Sequence, residues 1–416
     1  MMRKTWSVRL QNASILLYVL WLLVPAVQTT GRAAAGVFCV ALFGLGVLLD
    51  VPSVNWKRLA PRVLCAALMP LILRRYLNRG NDHFLGYYVQ QAMFWFPLVF
   101  AGHARDQGDR RAWRWLRWTL LGAVTLTTLT TIGWLIEGMT RGGRVYAYSR
   151  SLGFAGEGTE AYLKELMLRN IGGYDFIYAT VVMLPLTCLA IQRSRGWSRG
   201  CYTALLCAQA VMVVLSQYTY AMIYAAVILA VEALAALARL ISRGKLSTGP
   251  SLLIGLIPLA LVLLFHRPLI GLAVSLCSRF GLTHFAYSLE QLLTALQGGT
   301  TAADSRLGYY LTALEGFRQS PLVGRLLGGP ALLSQHSDVL DLLSGLGLIG
   351  TALAGGMVYL MGRGSLRGLK ASPDRAQLWM MILAFAVVAS LGTVVYSRDI
   401  MTVFALGALL VLEKDF

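Results

Sequence analysis

Apolar windows separated by short polar and basic segments run through nearly the whole chain. A helix needs roughly 17–25 such residues to cross a bilayer. Windows of this kind fall at 12–28, 33–50, 62–73, 84–102, 116–136, 174–192, 200–216, 219–238, 250–265, 338–361, 377–396 and 400–413. They predict an all-α polytopic membrane protein with about 12 transmembrane helices. The third and the last windows are short. Proline and glycine inside several windows do not argue against spans, because neighbouring helices can satisfy the freed backbone groups. Ile15–Val27 follows a basic Met1–Arg9 and lacks a small-residue cleavage site, so it is expected to be a first span and not a cleaved leader.

Between the windows, two segments are long enough to fold on their own. The chain therefore divides into N-terminal transmembrane helices at 1–136, an outer loop at 137–173 and central transmembrane helices at 174–265. A large outer loop with amphipathic helices follows at 266–337, and C-terminal transmembrane helices at 338–416. In the first loop Gly158–Met167 can form a short amphipathic helix. In the second, helical signals cover Pro268–Phe280, His284–Leu296 and Ala303–Gln319. The last begins with Asp304 in its first turn and stops before Pro321. Gly324, Gly328, Gly329 and Pro330 then break helix, and either Ser334 or Ser337 can cap the span that follows, with Asp338 complementing its dipole.

Composition agrees with the pattern. The 416 residues are 57% hydrophobic and 13% charged, with mean hydropathy +0.62, whereas soluble domains carry roughly 25% charged residues. The net charge of +18 is informative once it is divided between two sides. With the N-terminus inside, most of the 37 Lys and Arg fall on short inner segments such as Lys57–Arg62, Arg105–Arg117, Arg193–Arg199 and Arg363–Arg375. The rest violate that rule. Arg141, Arg144, Arg150, Lys164 and Arg169 fall in the first outer loop, and Arg267, Arg279, Arg306, Arg318 and Arg325 in the second. Arg74, Arg75, Arg79, Arg32 and Arg398 complete a basic outer face suited to a phosphate or pyrophosphate ligand.

The candidate chemistry is narrow. Six cysteines without CxxC spacing read as small apolar core residues and not as a disulfide framework. No HExxH, His pair or Cys/His cluster supports a metal, and no nucleic-acid motif is present. Of the five histidines, His103 is cytoplasmic by topology, and His83, His266 and His284 lack a distinctive setting. His336 alone combines the outer interface, a glycine-rich approach and a helix start. Imidazole, with an ordinary pKa of about 6.5, can take a proton from an attacking hydroxyl. Arginine forks can stabilise a departing pyrophosphate without a metal. The second motif is LRNIGGYDFIY, in which Arg169 precedes a glycine pair, and Tyr174, Asp175 and Tyr178 can meet sugar hydroxyls or rings.

These two motifs, Arg169-x-x-Gly172…Asp175 and Arg306…SPLVG…His336-Ser337…Gly347-Leu348-Ile349-Gly350, together resemble the bacterial O-antigen ligase and O-antigen polymerase superfamily. The resemblance covers 160–360 specifically and the rest of the chain only as membrane spans. Ser337 and Tyr174-Asp175-Phe176 depart from the family's asparagine-rich pattern at those points, which bears on the acceptor more than on the reaction.

The resemblance implies a GT-C-type fold in the bacterial cytoplasmic (inner) membrane, with its active site facing the periplasm. It implies an undecaprenyl-pyrophosphate-linked glycan as substrate, membrane lipid as surroundings, a chain-length regulator as a candidate partner and no cofactor. His336 resembles the catalytic histidine, and Arg169 and Arg306 the pyrophosphate-binding arginines. Arg318, Arg325, Arg398, Tyr174, Asp175 and Tyr310 are the further candidates for substrate binding. The expected activity is polymerisation of lipid-linked repeat units, with ligation of finished glycan onto a lipid A core or another acceptor as the alternative. A lipid-linked oligosaccharide flippase is the rival of another class, against which stand the lack of an internal repeat and the long loop at 266–335. A peptidoglycan polymerase would need an acidic catalytic residue such as Asp304, and the neighbouring motifs do not match one.

Overall fold

The computed structural model describes residues 2–77, 84–107, 110–142, 159–241, 266–279, 283–296, 302–325, 332–334, 336–366, 375–392, 394 and 397–411. Among these the chain is helical, without strands. The first half contains α1 (Met2–Leu23), α2 (Pro25–Leu49), α3 (Trp56–Leu77), α4 (Phe84–Gln107), α5 (Arg110–Gly142) and α6 (Thr159–Leu168). Next come α7 (Tyr174–Arg193), α8 (Gly196–Ser216) and α9 (Thr219–Ile241), then α10 (His266–Arg279), α11 (Thr283–Leu296) and α12 (Ala302–Gln319). The chain ends with α13 (Asp338–Leu366), α14 (Arg375–Leu391) and α15 (Arg398–Val411). Each expected apolar window falls largely on helix except 250–265, which lies outside the described residues, and the window 377–396 outruns its helix, which stops at Leu391. The four loop helices start and stop within two residues of where capping and breaker signals put them.

Five described helices are long and apolar enough to cross a membrane: Arg114–Gly138, Tyr174–Arg193, Gly196–Ser216, Thr219–Ala238 and Asp338–Met361. A sixth is reached if the bent pair α1–α2 counts as one span. This is the build of a multi-pass membrane protein. The spans are not equivalent. α7 is apolar all round and buried at every residue from Phe176 to Ala190, packed against α8, α9, α14 and α15. α8 and α9 turn Val211, Val214, Leu237 and Leu240 outward, the surface a lipid-facing helix needs. Exposed tryptophans stand at the starts of α1 (Trp6), α3 (Trp56), α5 (Trp115, Trp118), α8 (Trp197) and α14 (Trp379), as in an interfacial belt.

Two expectations need correction. The windows at 12–28 and 33–50 imply a turn near Gly31, but the chain bends by 103° at Val24–Pro25 and α2 runs straight through Gly31–Gly36. Pro25 starts α2 because its missing N–H costs nothing in a first helical turn. The small residues serve packing instead: a Cβ on Gly36 would lie 2.6 Å from Met93 Sδ and 2.7 Å from the Trp21 ring. The cysteines are all unpaired, but Cys201 and Cys207 are exposed on α8 and do not belong to the core.

At the tryptophan end, a polar clamp ties the first four helices together. Arg62, 3% exposed, donates to Asp106 at 2.7 Å, and Arg58 donates to the other carboxylate oxygen at 2.7 Å. Buried His103 pairs through Nε2 with Gln11 Oε1 at 2.8 Å, and Gln11 Nε2 donates to Ser7 Oγ at 3.1 Å. Ser7 Oγ in turn donates to the Gly46 carbonyl at 2.6 Å.

Candidate functional site

The site begins with a broken helix. α13 is interrupted at Gly347, where φ is 63° and ψ is −173°. Such a break leaves backbone groups without helical partners, and inside lipid they must find others. The Ser320–Gly324 turn supplies them. Leu348 N donates to Pro321 O at 2.9 Å, Ile349 N to Leu322 O at 2.9 Å, and Arg325 N to Gly345 O at 2.9 Å. Thr351 Oγ1 adds a bond to Leu342 O at 3.2 Å across the break. Gly324, with φ 55°, presses against the Gly347 nitrogen, so neither glycine leaves room for a Cβ. The SPLVG and GLIG motifs are therefore two halves of one backbone joint.

That joint anchors the segment carrying His336. Asp341 Oδ1 accepts the Ser334 N–H at 2.6 Å, and Ser334 Oγ accepts the N–H groups of His336 and Ser337 at 3.0 Å each. Ser337 Oγ accepts the Leu340 N–H at 3.3 Å and is the N-cap of α13, while Ser334 folds the turn before it. Asp338 does more than complement a dipole. Its carboxylate accepts the Val394 N–H, and its own N–H donates to Gly392 O at 3.2 Å. His336 itself is half-buried, and its ring lies 5.1 Å from that of Tyr309 on α12.

Gly392 is also the meeting point with the arginine–glycine motif: a Cβ there would lie 3.9 Å from the Tyr174 hydroxyl. The starts of α7, α13 and α15 thus converge. Ser397 caps α15, accepting the Ile400 N–H at 3.2 Å, which sets Arg398 in the first turn. Tyr174 packs against Tyr178 (4.6 Å) and edge-on to Tyr218 (5.0 Å, 87°) from the α8–α9 turn.

The segment before Tyr174 is held by residues the motif does not include. α6 ends in a Schellman turn, with Asn170 at φ 61°, its N–H on Met167 O and the Ile171 N–H on Leu166 O, both 3.0 Å. Three threonines of α5 grip that turn. Asn170 Nδ2 donates to Thr127 Oγ1 at 3.1 Å, Thr130 Oγ1 donates to Asn170 O at 2.6 Å, and Gly172 N donates to Thr131 Oγ1 at 2.8 Å. The run TLTTLTT carried that signal in the sequence, as hydroxyls at one-turn spacing inside an apolar helix.

The structure thus brings His336, Tyr174 and the backbone start of Arg398 to one mouth, with half-buried Asp175 one residue beyond Tyr174. Tyr309, and not its neighbour Tyr310, is the ring against His336; Tyr310 is half-buried on the next face of α12. Arg169 is exposed and pairs with Glu165 of its own helix at 2.5 Å, so it is not engaged with His336. Arg318 is exposed in the last turn of α12, and Arg325 donates to Gln319 Oε1 at 2.6 Å beside the helix joint. Arg306 is in the first turns of α12; its side chain and that of Arg398 lie outside the described residues. Among the described residues no three of His, Cys, Asp and Glu gather as a metal site. No protein-family model matches the chain, and no curated protein matches it.

Proposed function

We propose that the chain is a GT-C-type membrane glycosyltransferase with twelve spans. It joins undecaprenyl-pyrophosphate-linked repeat units into polysaccharide on the outer face of the bacterial cytoplasmic membrane. The observation that carries this reading is the convergence of three helix starts at Gly392–Val394, bearing His336, Tyr174 and Arg398, under a long-loop helix that lays Tyr309 on His336. Span parity supports the topology. α9 runs away from this mouth, since Tyr218 just before it touches Tyr174, and α13 begins at the mouth. On this reading an odd number of crossings is required between Ile241 and Asp338, and the sequence window at 250–265 fits that requirement.

In the proposed reaction His336 takes the proton of a sugar hydroxyl as its oxygen attacks the anomeric carbon of the donor. A glycosidic bond forms, the bond from that carbon to pyrophosphate breaks, and undecaprenyl pyrophosphate leaves with the electron pair. Arg169 and Arg306 balance its charge. The pairing of Arg169 with Glu165 does not oppose this role. An exposed i,i+4 pair is worth about 0.3–0.5 kcal/mol, so exchanging a carboxylate for a pyrophosphate is cheap. The test is purified protein with lipid-linked donor. Longer glycan and free undecaprenyl pyrophosphate support the polymerase; glycan moved to a lipid A core supports the ligase; translocation without cleavage overturns both.

A further inference from the structure

A second polar site lies inside the bundle, far from the first. Glu232 is the acidic residue of α9, 5% exposed, within the membrane-length stretch Thr219–Ala238. It is 13 residues into the helix, or about 20 Å from the start at 1.5 Å per residue. Its Oε2 accepts Gln377 Nε2 of α14 at 3.0 Å and Gln192 Nε2 of α7 at 3.3 Å. Gln192 is at the opposite end of α7 from Tyr174, about 27 Å along the axis. Ionisable groups within membrane helices are costly and are kept where they bind or move something.

We infer that Glu232, Gln192 and Gln377 form a proton-binding site at the junction of α7, α9 and α14. This stands independently of the function proposed above. The carboxylate meets two amide N–H2 groups, and among the described residues it belongs to no cluster of three metal-ligating side chains. The amides suit both protonation states. Ionised, Oε2 accepts from both amides. Neutral, the carboxyl O–H donates to Gln377 Oε1 after that amide turns over. Gln377 is fully buried and its Oε1 accepts no hydrogen bond among the described residues, so the turn forfeits nothing at that atom. Gln192 is exposed, which puts the carboxyl one hydrogen bond from the surface of the bundle.

Buried Cys188, one turn before Gln192 on α7, is a titratable neighbour of this site. The other charged or titratable groups on helices packed against α9 include half-buried Arg193, exposed Arg199 and Glu290, Asp175 at the far end of α7, and His284 of α11 and Arg375, whose side chains are outside the described residues. The binding step is one proton added to one carboxylate, with no other bond changed.

Dicyclohexylcarbodiimide tests this, since it adds to protonated carboxyls in apolar surroundings. The full-length protein in detergent is treated across roughly pH 5–9 and the Glu232 peptide is read by mass spectrometry. Modification of Glu232 should fall about tenfold or more as pH rises. Glu232→Gln should abolish it with unchanged elution on size exclusion. Gln377→Leu removes a charge-assisted bond from the ionised form and only a weaker neutral one from the protonated form, so at intermediate pH labelling should rise severalfold; Gln192→Leu, which removes a donor to the ionised form alone, serves if that variant fails to fold. Labelling absent at every pH in well-folded protein, or indifferent to pH, or unmoved by loss of either amide, would overturn the site.

Discussion

Gly347→Ala tests whether the joint between α13 and the Ser320–Gly324 turn is required. The glycine has φ 63° and ψ −173°, a region nearly closed to residues with a Cβ, and that Cβ would sit 2.5 Å from the Leu322 carbonyl carbon and oxygen. Two responses compete. If the turn stays docked, backbone strain of about 1–3 kcal/mol adds to an overlap no side-chain rotation can relieve. If the turn detaches, three inter-segment bonds are lost, each worth about 0.5–1.5 kcal/mol net, and more where lipid replaces water. The cheaper response wins, so the expected loss is about 2–4 kcal/mol. Gly355→Ala is the control on the same helix. Nothing lies within 4 Å of its Cβ position, so it should be neutral or stabilising by up to about 1 kcal/mol. Thermal unfolding in detergent compares the two, and hydrogen exchange reads the Leu348 and Ile349 amides directly. Equal stability of both variants, with exchange at Leu348 and Ile349 unchanged, would refute the joint. Adding Gly324→Ala should cost less than additively, because the two glycines face each other.

His336→Ala should keep the fold and slow glycan transfer about 10²–10⁴-fold, as loss of a positioned base does; a stable variant with near-normal transfer removes the histidine from the chemistry. Thr131→Val strands the Gly172 N–H and should destabilise by about 1–3 kcal/mol, while Asn170→Gly keeps the left-handed turn and isolates the loss of its side-chain bonds. Denaturation curves of the two variants check both. Arg169→Ala should leave stability within about 0.5 kcal/mol, since its pair with Glu165 is exposed, yet weaken donor binding. Restoration by lysine should be partial, because lysine keeps charge without the fork; full rescue would argue against bidentate pyrophosphate contact.

What the sequence makes legible here is local. Helical segments, loop helices, the Ser337 cap and the stop before Pro321 each depend on neighbours within a turn or two, and among the described residues the structure has helix where these signals put it. What it hides is non-local or a matter of phase. Gly324 reads as a chain breaker and Gly347 as a position inside one continuous span, and nothing in either motif says that they close on each other. Gly31–Gly36 carries the same small residues whether they turn a chain or receive Trp21, and only the packed helix decides. Tyr309 and Tyr310 differ by about 100° of helix rotation, which decides which ring reaches His336. The run TLTTLTT shows a hydroxyl stripe on α5, but not that its partner is a turn some 40 residues later.

Glu232 is a different kind of miss, for its signal was in plain view. VILAVEALAAL carries one acid in an apolar run, and such an acid calls for partners. Its two amides come from the end of α7 and the start of α14, the same end of the bundle that bears the exposed tryptophans Trp197 and Trp379. The His336 mouth is built from the starts of α7, α13 and α15, at the other end of α7. One helix, buried from Phe176 to Ala190, therefore carries a polar cluster at each end, with Pro185 between them. A proline inside a helix removes a backbone bond and loosens the turn before it. If protonation of Glu232 shifts the packing of α14 on α7, the nearest listener at the mouth is the Gly392–Val394 segment at the end of α14, which holds Asp338. Glu232→Gln should then change the pH profile of glycan transfer while leaving its rate at the optimum within a few fold. A profile that keeps its shape would mean that the two ends of α7 act separately.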